Sequence, residues 1–261
     1  MNQVNEPRAN IGLLVHGATV VVLGIIASLF AYAWRSSSFN LLEVIAAFLF
    51  WYGVAVSLIS FPLRAAAIDF ARYVRTALGA SVFVVYLLVH VLIYGFLLED
   101  LLSFTGRYSY TAALGASVST ALLTPPSAVN ALLALWYNPW ITITFPPIFS
   151  TALSLYSLVI AVLIDVLIVA NIGRTRELGR ASSKGAGSRA TVLLPALGVA
   201  LGASCCLSVP LLLSVVVPST AVIASATWTY WVTYFLFPPF AIFILCTNLY
   251  AVNRLTTSRQ A

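Results

Sequence analysis

Charge is what this sequence has least of. Only 8% of its 261 residues are Asp, Glu, Lys or Arg, against 61% that are hydrophobic, where soluble domains carry about 25% charged residues. The scarcity excludes a water-soluble globule, because a chain of this size has no interior able to hide so much apolar side chain. The bilayer is therefore part of its solvent. Lysine is nearly missing: Lys184 stands alone among 13 basic residues, the usage of a GC-rich or thermophilic source. Three cysteines and no CxxC exclude a disulfide framework. Two histidines at different positions along their spans exclude a Ser-His-Asp site. GxGxxG, GxxxxGK[ST], HExxH and GxSxG are all missing, so an enzyme is not expected. The net charge of +6 sits in short clusters between apolar runs, which marks topology determinants and excludes a nucleic-acid groove.

What is present is a series of apolar runs. A span needs about 20 such residues, and six segments qualify: 11–34, 41–63, 76–98, 142–170, 191–217 and 228–250. Ala31-Tyr32-Ala33 resembles a signal-peptidase site, but the run before it exceeds the usual length of about 7–15 residues, so a retained first span is expected. With both termini inside, the inner segments hold Arg8, Arg64, Arg72, Arg75, Arg174, Arg176, Arg180, Lys184, Arg189, Arg254 and Arg259, and the outer ones only Arg35 and Arg107. That asymmetry is the positive-inside signature. The expected fold is all-α: one polytopic membrane bundle over residues 1–261, six helices, N-in and C-in, multi-pass in the cell membrane with the lipid bilayer as its first partner.

Residues 111–136 are apolar and uncharged with Pro125-Pro126 at their middle. Each half is too short to cross alone, and paired prolines break a helix. An outer helical hairpin is expected, either lying as a cap or re-entering the membrane; a seventh span would destroy the charge asymmetry. Re-entrant backbone needs protein or a water-filled cavity around it and would imply a path for substrate.

The chain also echoes itself. Pro126-Ser127, Trp136 and Phe145-Pro146-Pro147 recur at Pro218-Ser219, Trp228 and Phe237-Pro238-Pro239, and ALGAS at 113–117 returns at 200–204 and at 77–81. A parallel duplication, 113–170 with 200–253, accounts for this, and interrupted helices at matching places of two repeats point to a binding region. Pro125, Pro126, Pro238 and Pro239 are accordingly candidates to line a substrate path, through kinks that open space between helices. Common membrane-helix composition is the competing account.

Ionisable and soft side chains in hydrocarbon are expensive. Counting residues from the nearest inner arginine, His16, Asp165 and Cys246 share a level in the inner third, while His90, Cys205 and Cys206 lie near the midplane. His16 with Asp165 suits a proton relay or ion path; His90 with Cys205 and Cys206 suits a soft cation. His16 and His90 differ in depth by about 10 Å, so bis-His haem is not expected, while haem with a different axial partner stays open. Buried cysteines also serve as plain packing, Asp165 as a structural carboxyl bonded to a neighbouring hydroxyl, and Glu43, at the start of its span, as a solvated group at the outer interface.

The run Ala203-Ser204-Cys205-Cys206-Leu207, followed by Pro210-Leu211-Leu212-Leu213, resembles the vicinal-cysteine helix of the mercuric-transport membrane proteins. There is one more residue here between the pair and the proline, and that family's second, loop-borne cysteine pair is missing. The resemblance implies that Cys205 and Cys206 receive a thiophilic ion. The function expected from all this is a transporter or permease for a small ion or solute, with a soft metal cation as one cargo. The alternative is a non-catalytic membrane subunit of a larger respiratory or secretion assembly, whose bare helix faces bind partner subunits or further copies.

Overall fold

The first apolar run forms a helix whose inside and outside are exchanged relative to a soluble protein. α1 (Ile11–Ala33) buries Gly17, Val20, Gly24, Ser28 and Ala31, while Val15, Val22 and Phe30 remain more than half exposed. The run ends as the next begins: α2 (Leu41–Ser60) is capped by the Asn40 side chain, which accepts from the Leu42 amide at 3.0 Å. The two helices pack along their lengths. Asn10 N–H donates to the Ser60 carbonyl at 3.4 Å, and Asn40 Nδ2 to the Ala31 carbonyl at 3.1 Å, so they form an antiparallel hairpin. Small residues set its spacing. A Cβ on Gly24 would stand 2.6 Å from the Phe50 amide nitrogen, and one on Gly53 would stand 2.6 Å from the Gly17 carbonyl oxygen. Close backbone approach through small residues, with bulky apolar side chains turned outward, is how helices associate in lipid, where no hydrophobic force drives them together.

The computed structural model describes residues 10–34, 40–90, 115–120, 127–145, 149–181 and 235–260. After α2 come α3 (Arg64–Tyr73), α4 (Ala77–Leu88), β1 (Gly115–Ser119), α5 (Ala128–Tyr137), β2 (Trp140–Phe145), β3 (Phe149–Ser154), α6 (Leu155–Ala181) and α7 (Phe237–Gln260). The chain divides into two compact units. The first holds α1, α2, α5 and the start of α6 as far as Val159; the second holds α3 from Ala66, α4, α6 from Ile160, and α7.

The molecule is mostly helical, and among the described residues three helices are long and apolar enough to cross a membrane: Ile11–Ala33, Leu41–Ser60 and Leu155–Glu177. The pair α3 and α4 passes the same test only together and is bent by 114° at its break. Spans one and two lie where the sequence places them. Span three is helical over Ala77–Leu88 with a π turn at 89–90, and the 64–75 connector is itself largely helix. The fifth run, 191–217, lies outside the described residues, as does Pro125-Pro126.

Two expectations are corrected. The fold is not wholly α, because β1, β2 and β3 form one three-stranded sheet in that order. Only three residues separate β2 from β3, too few for a parallel crossover, so that pair is antiparallel. The fourth apolar run, read as a span over 142–170, is a strand pair first and becomes helix only at Leu155, continuing to Ala181. An unbroken apolar run does not by itself distinguish strand from helix; WITITF is rich in β-branched and aromatic residues. Ser154 then starts the helix: its Oγ accepts from Ser157 N–H at 3.2 Å, and Ser157 Oγ from Ser154 N–H at 3.0 Å. These reciprocal bonds satisfy donors that the first turn leaves open.

The segment 111–136, expected as an outer helical hairpin, is likewise mixed. Its first half contains β1 and its second half is α5. α5 packs on α1 and α2, with Ser28 Oγ donating to the Ala131 carbonyl at 2.8 Å and Trp51 Nε1 to the Leu135 carbonyl at 2.6 Å. Trp51 lies ten residues into α2, so these contacts reach about 15 Å along it. Of the echoed Phe-Pro-Pro segments, Phe145 ends β2 and Phe237-Pro238-Pro239 opens α7, while Pro146-Pro147 lie outside the described residues. Pro238 and Pro239 stand in the first turn of α7, immediately after a π turn at 235–236.

Candidate functional site

The second unit concentrates polar groups along α6. Arg174 sits near the inner end expected for this helix and forks onto Asp69 of α3: Nε donates to Oδ2 at 2.9 Å and Nη2 to Oδ1 at 2.6 Å. Glu177, one turn on, takes Arg174 Nη1 at 3.1 Å and faces Arg72 Nη1 at 3.5 Å. The Asp69 side chain is only 4% exposed. A buried carboxylate met by both arms of a guanidinium is a strong, directional pairing. It fastens the 64–75 connector to the C-terminal part of α6.

Two glycines make room for this arrangement. A Cβ on Gly79 would collide with the Tyr73 backbone, and one on Gly173 with the Tyr73 ring. Gly79 thus permits the sharp turn between α3 and α4, and Gly173 seats the tyrosine against α6. Thr76 caps α4, accepting from Gly79 N–H at 3.1 Å while donating to the Tyr73 carbonyl at 2.7 Å. Between this turn and α6 lies a partly open cavity of about 250 Å³. Tyr73, Thr76, Leu78, Gly79 and Val82 line one side, and Val169, Ile172, Gly173, Arg176 and Glu177 the other.

Val169, Ile172 and Arg176 follow Asp165 at intervals of four, three and four residues, the spacing of a single helix face. Asp165 therefore occupies the stripe that lines the cavity, one turn deeper into the apolar part of α6. It is 0% exposed, and among the described residues no donor reaches either carboxyl oxygen. α7 packs through Ala241, Leu245, Leu249 and Val252, all buried at helical intervals. The α6–α7 contact carries its own amide pairing: Asn171 Nδ2 donates to the Leu245 carbonyl at 3.1 Å and Asn248 Nδ2 to Asn171 Oδ1 at 2.8 Å.

Comparison of the chain with family models, with curated proteins and with solved structures brings no match. Function has to be argued from the residues.

Of the expected site residues, Asp165 and His90 are buried in the second unit; His90 is 1% exposed with its ring 5.7 Å from that of Tyr86. His16 is exposed on α1, its ring edge-on to Tyr52 at 6.2 Å, within the first unit. Cys205 and Cys206 lie outside the described residues, and Cys246 is a half-buried free thiol on α7. Among the described residues, no three His, Cys, Asp or Glu side chains gather where a metal could bind. Pro238 is buried and Pro239 exposed.

Glu43 is a correction. Instead of facing solvent it is 2% exposed, accepting from Asn138 Nδ2 at 2.9 Å. Its place in the first turn of α2 suggested an interfacial position, but the segment 127–138 covers that turn. Asp69, Tyr73 and Glu177 were passed over in the sequence because both basic connectors read as topology signals. The clue was there: RAAAIDFARYVR and RTRELGR each hold one carboxylate among their arginines.

Proposed function

We propose that this chain is an integral membrane transporter of permease type that moves a proton or another small cation, with Asp165 as the group that takes up the charge. One observation carries the reading. A fully buried carboxyl stands in the most apolar of the three spanning helices, of mean hydropathy 2.5, with no donor among the described residues. It also shares a helix face with a partly open cavity. An unpartnered carboxylate in a low-dielectric interior costs many kcal/mol, so such a group is stable with a proton on it or a cation beside it. A structural carboxyl would hold a neighbouring hydroxyl, and none of the described residues supplies one.

In this reading the chain crosses the cell membrane six times with both termini inside, and the 127–138 segment belongs to an outer hairpin. The Asp69–Arg174 pair supports the arrangement, since it holds the 64–75 connector against the C-terminal part of α6, where the basic residues of the next connector begin. The proton or hard cation uses Asp165; a soft cation uses Cys205 and Cys206, the pair that resembles the mercuric-transport helix. Proteoliposomes test both routes. Ion-driven flux, read with an internal pH dye, falls to background in Asp165→Asn while secondary structure and monodispersity are retained. Uptake of Ag⁺ or Hg²⁺ is lost in Cys205→Ser with Cys206→Ser. Wild-type flux in Asp165→Asn removes the carboxyl from the path. No flux from the wild type, with stability only beside other subunits, favours the membrane-subunit reading.

A further inference from the structure

We propose that the cavity between the α3–α4 turn and α6 is a binding site for the headgroup of an anionic phospholipid. The site requires that the chain lie in a bilayer and is independent of whether Asp165 carries an ion. Its walls have two characters. Leu78, Val82, Val169 and Ile172, from both walls, make part of the lining apolar, while Tyr73, Thr76, Arg176 and Glu177 make the rest polar, so the matching occupant is a molecule with a charged head and an apolar tail.

Charge decides the sign of that head. Four arginines, Arg72, Arg75, Arg174 and Arg176, surround the turn against two carboxylates, Asp69 and Glu177. Arg174 neutralises Asp69, and Glu177 is shared between Arg174 and Arg72. Arg75 and Arg176 are exposed and form no ion pair among the described residues. Arg176 thus lines the cavity with its charge unneutralised, and Arg75 stands in the turn between the lining residues Tyr73 and Thr76. Basic pockets beside spanning helices on the inner face recognise anionic lipid headgroups in this way, and guanidinium pairs well with phosphate. Zwitterionic lipid brings its own cation and gains little from the two arginines.

The test uses the full chain in a non-ionic detergent, titrated with palmitoyl-oleoyl phosphatidylglycerol or phosphatidylcholine and read by native mass spectrometry. Phosphatidylglycerol binds more tightly. Each basic side chain contributes about fivefold to affinity for anionic lipid, so the double variant Arg75→Gln with Arg176→Gln binds phosphatidylglycerol about thirtyfold more weakly, with phosphatidylcholine unchanged. Equal affinity for the two lipids in the wild type, or wild-type phosphatidylglycerol affinity in the double variant, overturns the proposal. Displacement by millimolar inorganic phosphate also overturns it, since the site would then take free phosphate. If the double variant does not fold, Leu78→Trp fills the apolar side with all charges kept; undiminished phosphatidylglycerol binding there is equally fatal.

Discussion

Replacing Arg174 with Gln removes both donors from Asp69 and leaves Arg72, at 3.5 Å, as the ion-pair partner of Glu177 among the described residues. The Asp69 side chain is 4% exposed and that of Arg174 25%, so the abandoned carboxylate has little water to replace its partner. Breaking a fully buried pair costs about 3–5 kcal/mol; partial exposure of the arginine lowers the expectation to about 2–3 kcal/mol. Asp69→Asn costs a similar amount, because it leaves the guanidinium half-buried with one weaker acceptor. The double variant carries neither orphaned charge and loses about 2 kcal/mol in all, so the two single effects exceed the double by about 2–4 kcal/mol. The four proteins are compared in mixed detergent micelles by reversible unfolding followed through tryptophan fluorescence. Additivity within about 0.5 kcal/mol would refute the claim that the pair holds α3 to α6 as a coupled unit.

Other expectations are simpler to state. Gly24→Leu forces a side chain into the Phe50 backbone, where even a Cβ would stand 2.6 Å from the amide nitrogen; overpacking of this kind costs about 1–3 kcal/mol, visible as a lower midpoint in the same unfolding assay, while Val22→Leu on the exposed face changes little. Asn138→Leu strips Glu43 of its amide donor and destabilises by about 1–3 kcal/mol, and Glu43→Gln beside the native Asn138 is milder; the reverse order in melting temperature would contradict the burial of Glu43. Single cysteines at Arg75 and Arg180, on a background without native cysteine, react with a membrane-impermeant maleimide from the same side of intact cells; labelling from opposite sides would break the shared inner face.

Much of the fold was legible because transfer free energy is nearly additive along a chain. Spans one and two could be bounded within a few residues from hydropathy alone, while the capping bonds of Asn10 and Asn40 come from the structure. The fourth run reads as one span because WITITF and the start of the helix after it form one uncharged, apolar stretch; strand and helix differ there in their pairing, which involves other segments. Among the site residues, Asp165 stood out as a carboxyl in hydrocarbon. Glu43 did not, since an acid at a helix start has solvent as its default partner, and only α5 folding over α2 removes it. The same holds for Asp69 and Arg174, which are 105 residues apart and look like separate topology signals until α3 meets α6.

The amino-acid order by itself determined the solvent, the positions of the apolar runs and the inventory of groups able to hold charge, because each depends on residues one at a time or within a single helix. The tertiary structure decided which of those groups lose water and which gain a partner. Burial and ion pairing are properties of two surfaces brought together, here by glycines that let backbones touch and by a 114° turn, and no single stretch of the chain contains both surfaces.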